Sequence, residues 1–311
     1  MAKPKSKANR KNKKPFENSG DGGAEGPAKK DPSLLFGIPK NRIPHLILFF
    51  VIAIGGSYFW IWISNGMGVD QYTYEIVAEY DHDSNAFTQG LLYEYDEETG
   101  KGVLYESTGQ YKESELRKID LKTGEILKRI KLDDKYFGEG LTYMNGKFYQ
   151  LTWKENKCFV YDKEFKKINE FEYDGEGWGL TNDDRHLIMS NGTSTLTFRD
   201  PETFEEVKKI TVRYGRDRKN QLNELEFVSG KIFANVLNQD FIFEIDPNTG
   251  NIDGEIDLRS LVPKDQKVDV LNGIALNSQT GHFLVTGKLW PKVYEIKREL
   301  KDKSKKSNPQ K

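Results

Sequence analysis

Between about Tyr72 and Arg298 the hydrophobic positions do not recur at helical spacing. They fall instead in runs of four to seven residues rich in Tyr, Phe, Val and Ile, punctuated by Gly, Asn and Asp. That pattern predicts an all-β domain. The segments QGLLYE (Gln89 to Glu94), EGLTYM (Glu139 to Met144), WGLTND (Trp178 to Asp183), NELEFV (Asn223 to Val228) and NGIALN (Asn272 to Asn277) resemble one another and recur at intervals of 50, 39, 45 and 49 residues. In the middle three units a second strand begins eight residues after the small or acidic position, at Phe148, Leu187 and Ile232. A third strand, a turn such as DPETF or DPNTG, and a fourth strand follow. Each unit is therefore expected to be a four-stranded antiparallel meander. Units of this length stack around an axis as propeller blades, because a lone sheet leaves one face and both edges uncovered.

The last unit is short by a strand, whereas YTYEIVAEY (Tyr72 to Tyr80) precedes the first unit with no meander of its own. Pairing the two closes the ring and predicts a five-bladed β-propeller; the competing arrangement is a partly open sandwich with a dangling N-terminal strand. In a propeller the first strand of each blade lines the central channel, so the repeat starts converge despite their separation in sequence.

The N-terminal region follows a different pattern. From Ile43 to Ile63 the chain reads IPHLILFFVIAIGGSYFWIWI, without a full charge and long enough as a helix to cross a hydrocarbon layer of about 30 Å. Residues 43–63 are therefore expected to form one transmembrane helix, with Tyr58, Trp60 and Trp62 at an interface. Residues 1–42 hold eleven Lys or Arg against four acids, a net of +7, and the remaining 269 residues carry −8. This asymmetry places the N-terminus in the cytoplasm and the acidic domain outside it, in the periplasm, an organelle lumen or the medium. A cleavable signal peptide is the alternative, but its charged region would be too long and SNGMG offers no small-residue cleavage site. The expected organisation is a basic disordered tail (1–42), a single-pass signal anchor (43–63), a linker (64–71), the propeller (72–298) and a charged disordered tail (299–311).

Composition narrows the chemistry. Hydrophobic residues make up 36% of the 311 positions and 28 are glycine, an ordinary globular share. The 47 basic and 48 acidic residues nearly cancel, so no cationic field points to nucleic acid. One cysteine, Cys158, forms no intrachain disulfide and reads as a small buried hydrophobe. His45, His82, His186 and His282 never fall at HxxxH spacing, and no metal or cofactor is expected.

The repeat starts and their neighbouring loops bring together Phe87, Thr88 and Gln89; Phe137, Gly138 and Glu139; Trp178; Leu222, Asn223 and Glu224; and Asn272. Trp153, just past a second strand, and Lys288 with Trp290 in TGKLWPK join them. Glu139 lies between two glycines and beside aromatic residues, where desolvation raises a carboxyl pKa toward that of a proton shuttle. Each residue also has a plainer reading: aromatics pack between blades, and polar residues at strand starts satisfy backbone groups.

AFTQGLLYE (Ala86 to Glu94), ESTGQYKESELRKIDLKTGE (Glu106 to Glu125), YFGEGLT (Tyr136 to Thr142), GWGLTND (from Gly177), LNELEFVSG (Leu222 to Gly230), and DVLNGIA with VTGKLWPKVYEIK (within Asp269 to Lys297) resemble the plant and bacterial glutaminyl-peptide cyclotransferases. The resemblance spans residues 72–298. It implies a five-bladed propeller acting as an aminoacyltransferase, converting the N-terminal glutamine of peptides to pyroglutamate with release of ammonia and without catalytic zinc. It further implies Glu139 as acid/base carboxylate, Gln89 and Asn223 as polar substrate contacts, Phe87, Phe137, Trp153 and Trp178 as an aromatic pocket, and Lys288 as a channel lysine. Leu237 stands where the family has a pocket tryptophan. The expected partners are N-terminal glutaminyl peptides or proteins, and a lipid bilayer through residues 43–63. Readings from other classes are a membrane-anchored propeller that binds peptides or glycans without catalysis, and a lactonase-like hydrolase. The latter needs acidic residues around a channel cation, and the repeat starts supply too few.

Overall fold

The computed structural model describes residues 34–35, 38–39, 68–264 and 267–301. Two units divide the chain, at residues 1–64 and 65–311. In the first, Leu34–Leu35 pairs antiparallel with Ile38–Pro39. The expected span at 43–63 lies outside the described residues, as does almost all of the basic tail. Among the described residues no helix is long and apolar enough to cross a membrane.

The second unit is sheet throughout. Its first strand, β1 (Asp70–Asp81), is followed by a meander of β2 (Thr88–Asp96), β3 (Lys101–Thr108), β4 (Glu115–Asp120) and β5 (Ile126–Lys131). A second sheet contains β6 (Gly138–Met144), β7 (Lys147–Thr152), β8 (Lys157–Tyr161) and β9 (Lys167–Glu172). A third contains β10 (Leu180–Asn182), β11 (Leu187–Met189), β12 (Thr195–Arg199) and β13 (Glu206–Thr211). Past a two-stranded hairpin of Arg213–Tyr214 and Asp217–Arg218 come β14 (Leu222–Val228), β15 (Lys231–Val236), β16 (Gln239–Ile245), β17 (Ile252–Asp257), β18 (Leu271–Asn277), β19 (His282–Gly287) and β20 (Lys292–Leu300). These form one eight-stranded sheet with β1, in the order β14-β15-β16-β17-β1-β20-β19-β18.

The N-terminal strand thus supplies the strand that the last repeat lacks. It runs antiparallel to β20 from Lys292↔Asp81 to Leu300↔Tyr72, and makes a short parallel pairing with β17 at Gly254↔Asp70. Both partner strands reach beyond the expected domain limits, to Asp70 and Leu300, because this pairing continues there.

The outer strands β5, β9 and β13 are mostly exposed, and the inner strands are buried. Apolar layers join neighbouring sheets, Leu116 with Leu141 and Phe148, Cys158 with Leu180 and Met189, Phe198 with Leu225 and Phe243, and Leu91 with Ala275 and Leu284, and Phe233 with Ile274 and Phe283 joins the two halves of the eight-stranded sheet. The inner strands β2, β6, β10, β14 and β18 touch in that cyclic order, with β18 back against β2. Each large side chain buried between sheets contributes about 1.5–3 kcal/mol, so every sheet depends on two neighbours. The result is an all-β, propeller-like domain.

The inner strands meet at glycine. A Cβ on Gly140 would collide with the Leu180 backbone nitrogen, and one on Gly90 would lie 2.5 Å from that of Leu141. In the fourth repeat Glu224 replaces the glycine and reaches across the axis. Its Oε1 accepts from the Leu91 backbone N–H (3.3 Å) and its Oε2 from that of Ile274 (2.9 Å). Two residues on, Glu226 accepts from the Leu276 N–H at 3.0 Å. Part of Glu226 lines a cavity that includes Thr142, Thr181 and Asp184, but its carboxyl is enclosed by protein, and burial pushes it up to about 7.

From pH 4.5, the ordinary value for this group, up to about 7, the folded state holds a Glu226 proton that the unfolded chain has released. Stability therefore falls as pH rises through that window. Thermal melts should show Tm declining between about pH 4.5 and about pH 7, and Glu226→Gln should flatten the decline. An identical slope in the two proteins would remove Glu226 as its source.

Candidate active site

The functional side chains sit where the inner strands lose register with their neighbours. Pairing of β2 with β3 passes from Thr88↔Thr108 to Gly90↔Ser107, so Gln89 is extra. Pairing of β6 with β7 jumps from Gly138↔Thr152 to Leu141↔Gln150, across Glu139. The same slip spans Asn223 between β14 and β15, and Asn272 between β18 and β19. A β-bulge of this kind re-aims a side chain that alternation would place against a sheet face. The four polar side chains are buried.

Glu139 is 4% exposed. Its Oε1 accepts from Gln89 Nε2 at 2.9 Å, while its Oε2 is buried without a hydrogen-bond partner. Gln89 is held in turn: its Oε1 accepts from Asn272 Nδ2 at 3.1 Å, and the same nitrogen donates to the Thr88 carbonyl at 2.9 Å. That arrangement turns the Gln89 amide so that its donor faces Glu139. Burial pushes the Glu139 carboxyl well above its ordinary range; Lys288 opposes the shift and Glu176 and Glu155 reinforce it. A carboxyl group shifted in this direction is suited to exchanging a proton with a bound substrate. Asn223 Oδ1 is likewise buried without a donor.

A cavity of about 290 Å³ opens beside Glu139. The eight residues to which the resemblance gives a role in the site line it: Phe87, Gln89, Phe137, Glu139, Trp153, Trp178, Asn223 and Lys288. Phe137 packs edge-on against Phe87 (6.1 Å between centroids) and Trp153 (5.5 Å). The Lys288 ammonium lies 4.6 Å from the Phe87 ring centre, with no carboxylate within ion-pair distance among the described residues. Burial lowers its pKa, against the opposing charges of Glu139 and Asp269.

Leu237, standing where the resemblance implies a pocket tryptophan, also lines the cavity, and Gln110 joins it from the β3–β4 loop. Nothing in the sequence marked Gln110. Trp290, expected among the converging residues, is instead a core residue. It is fully buried against Gly287, and its indole donates to the Asp269 carbonyl at 2.9 Å. Glu224 spans the axis as described and is committed to backbone N–H groups. Cys158 is buried in the core, where burial pushes its thiol up and away from nucleophilic use. Among the described residues no group of three or more His, Cys, Asp or Glu is arranged to hold a metal ion.

These features define an all-β, propeller-like protein with a buried carboxyl group in an aromatic pocket near its axis. The profile of the glutamine cyclotransferase family matches residues 60–298, and the chain belongs to that family. It is 44% identical over 240 residues to a glutaminyl-peptide cyclotransferase of Arabidopsis thaliana, covering 75% of this chain and 73% of that protein. The crystal structure of Myxococcus xanthus glutaminyl cyclase superimposes with a TM-score of 0.68 at 33% identity, over 76% of this chain and all of that one.

Gly109 backs the Phe137 ring, and a methyl group there would overlap Phe137 Cε1 and approach Gln89 Cγ at 3.1 Å. Gly109→Ala should push the ring into the cavity, raising KM for a pocket ligand about tenfold with a fall in Tm of no more than a few degrees. Unchanged KM in steady-state assays would show that Phe137 does not bound the ligand.

Proposed function

We propose that this chain is a glutaminyl-peptide cyclotransferase that closes N-terminal glutamine into pyroglutamate, with Glu139 as acid and base. The observation that carries the reading is the Glu139 carboxyl group, dry and fixed by Gln89 through one oxygen, with the other oxygen open to a donor. Family membership and the two relatives described above support the same reaction.

Cyclisation is intramolecular, so no protein nucleophile is required. The substrate's α-amine attacks its own side-chain carbonyl carbon, a C–N bond forms, and the carbonyl oxygen takes up negative charge. Glu139 Oε2 accepts the proton released by the attacking amine and returns it to the amide nitrogen, which departs as ammonia when its C–N bond breaks. Such proton transfer typically contributes 10²–10⁴-fold in rate. Asn223 Oδ1, lacking a donor, suits an N–H of the bound glutamine. Gln89 is engaged at both ends of its amide and serves chiefly to fix Glu139. Lys288 supplies positive charge for the developing oxyanion, in a site where little water screens it. Phe87, Phe137, Trp153 and Trp178 enclose the aliphatic part of the side chain, favouring the folded-back conformer that reacts.

The domain is best understood as a five-bladed β-propeller, its fifth blade completed by β1; the cyclic contacts of the inner strands support this. The uncharged run at 43–63 and the basic segment before it support a single-pass anchor with the catalytic domain outside the cytoplasm.

Incubating the full-length chain with a Gln-initiated peptide should remove one ammonia, read by mass spectrometry. Glu139→Gln should lower that rate at least 10²-fold with Tm nearly unchanged. Rates equal to wild type would take Glu139 out of the mechanism, and binding without turnover in the wild type would favour a non-catalytic propeller. A chelator should leave the rate unaltered; complete loss would assign the reaction to a metal.

A further inference from the structure

Glu176 lies in the loop between β9 and β10, where no repeat or motif drew notice to it. Its Oε2 accepts from Trp153 Nε1 at 2.8 Å and from Trp178 Nε1 at 3.0 Å. Trp153 follows β7 and Trp178 precedes β10, so one oxygen atom joins pocket walls carried by two different sheets. The other oxygen faces Lys154 at 4.0 Å, and the Lys154 ammonium lies 3.7 Å from the centre of the Trp153 ring. Trp178 is fixed from its other side by Gly192, whose Cβ would sit 2.7 Å from the indole and whose φ of +75° favours glycine. Trp153 meets Phe137, two residues before Glu139.

An indole offers one donor and no acceptor, so its orientation is set largely by where that donor finds a partner. Two indoles sharing one acceptor are oriented together: rotation of either ring breaks a charge-assisted hydrogen bond. A neutral acceptor would meet this steric need equally well. The carboxylate adds negative charge near the catalytic carboxyl.

We propose that Glu176 is a positioning residue of the active site, setting the Trp153 and Trp178 planes through a shared acceptor and bringing a negative charge to the wall of the pocket. The proposal rests on the cyclase reading of the pocket. The groups facing Glu139 are Lys288 from the β19–β20 turn, Glu155 from the β7–β8 turn, Glu176, and the phenols Tyr111 and Tyr173. After burial, Lys288 is the largest influence and draws the Glu139 proton off; Glu176 and Glu155 hold it on. Glu155 is tied to Tyr111 (2.9 Å) and to the Phe137 backbone N–H (3.3 Å). Glu176 can therefore be altered without disturbing those contacts.

Two variants of the full-length chain separate the roles. Glu176→Leu removes acceptor and charge, whereas Glu176→Gln keeps an acceptor of the same reach and removes only charge. The Leu variant should raise KM for a Gln-initiated peptide about tenfold, change kcat less, and shift tryptophan emission. The Gln variant should restore KM to within about threefold. Both should move the acid limb of kcat/KM to lower pH, by about 0.3–1 unit, since removing a nearby negative charge eases ionisation of Glu139. Unchanged KM and emission in the Leu variant, or an unmoved acid limb in the Gln variant, would overturn the proposal. If the Leu variant does not fold, the acid limb of the Gln variant decides. If the wild type makes no pyroglutamate, the cyclase reading fails by itself, and the tryptophan emission of the two variants still decides the positioning role.

Discussion

A carboxyl group taken out of water needs either a partner or a proton, and Glu139 has only half of the first. Gln89 satisfies one oxygen, and the second is buried without a donor. Lys288 is near enough to influence the group without forming an ion pair with it. Had the lysine closed to ion-pair distance, the carboxylate would be held ionised and of little use as an acid. Had no amide reached it, the side chain would be free to turn away from the pocket. The chain Asn272, Gln89, Glu139 prevents that by fixing one amide through another.

This geometry depends on the way the inner strands are built. Glycines at Gly90, Gly140 and Gly179 let neighbouring inner strands approach until side chain or backbone of one touches backbone of the next. Residues placed at the bulges are thereby crowded into a small space near the axis. Where the glycine is absent, Glu224 uses the same crowding differently and accepts backbone N–H groups from two other inner strands. Two buried glutamates with raised pKa values thus have opposite uses: Glu224 is saturated and structural, and Glu139 is left one donor short. Between these two, saturation rather than burial or pKa separates the structural acid from the reactive one.

Much of this was legible from spacing alone. Recurrence of QGLLYE-like segments located the inner strands, and counting strands in the last repeat identified β1 as its missing partner. Position at repeat starts led to Gln89, Glu139 and Asn223, and residues of the pocket lining such as Trp153 and Lys288 were recognised from short neighbouring motifs. The repeats did not reveal the bulges, which depend on a slip of one residue between strands and leave no compositional trace. Trp290 was misplaced for a related reason: it neighbours Lys288 in sequence, but the turn sends its indole into the core, toward the Asp269 carbonyl. Glu176 escaped notice because its role depends on two indoles arriving from different sheets. Gln110 reaches the cavity from a loop at φ +92°, a conformation that no local sequence signal announced.

Ionisation of Glu139 itself is the most direct point of attack on this account. Side-chain carboxyl carbons of the full-length chain, followed by carbon-detected NMR from acid to alkaline pH, give one titration curve per glutamate. The resonance missing from Glu139→Gln identifies the residue. It should titrate well above the ordinary glutamate value of about 4.3. A midpoint at or below that value would mean that the carboxyl is neither dry nor poised to carry a proton, and would contradict the mechanism built on it.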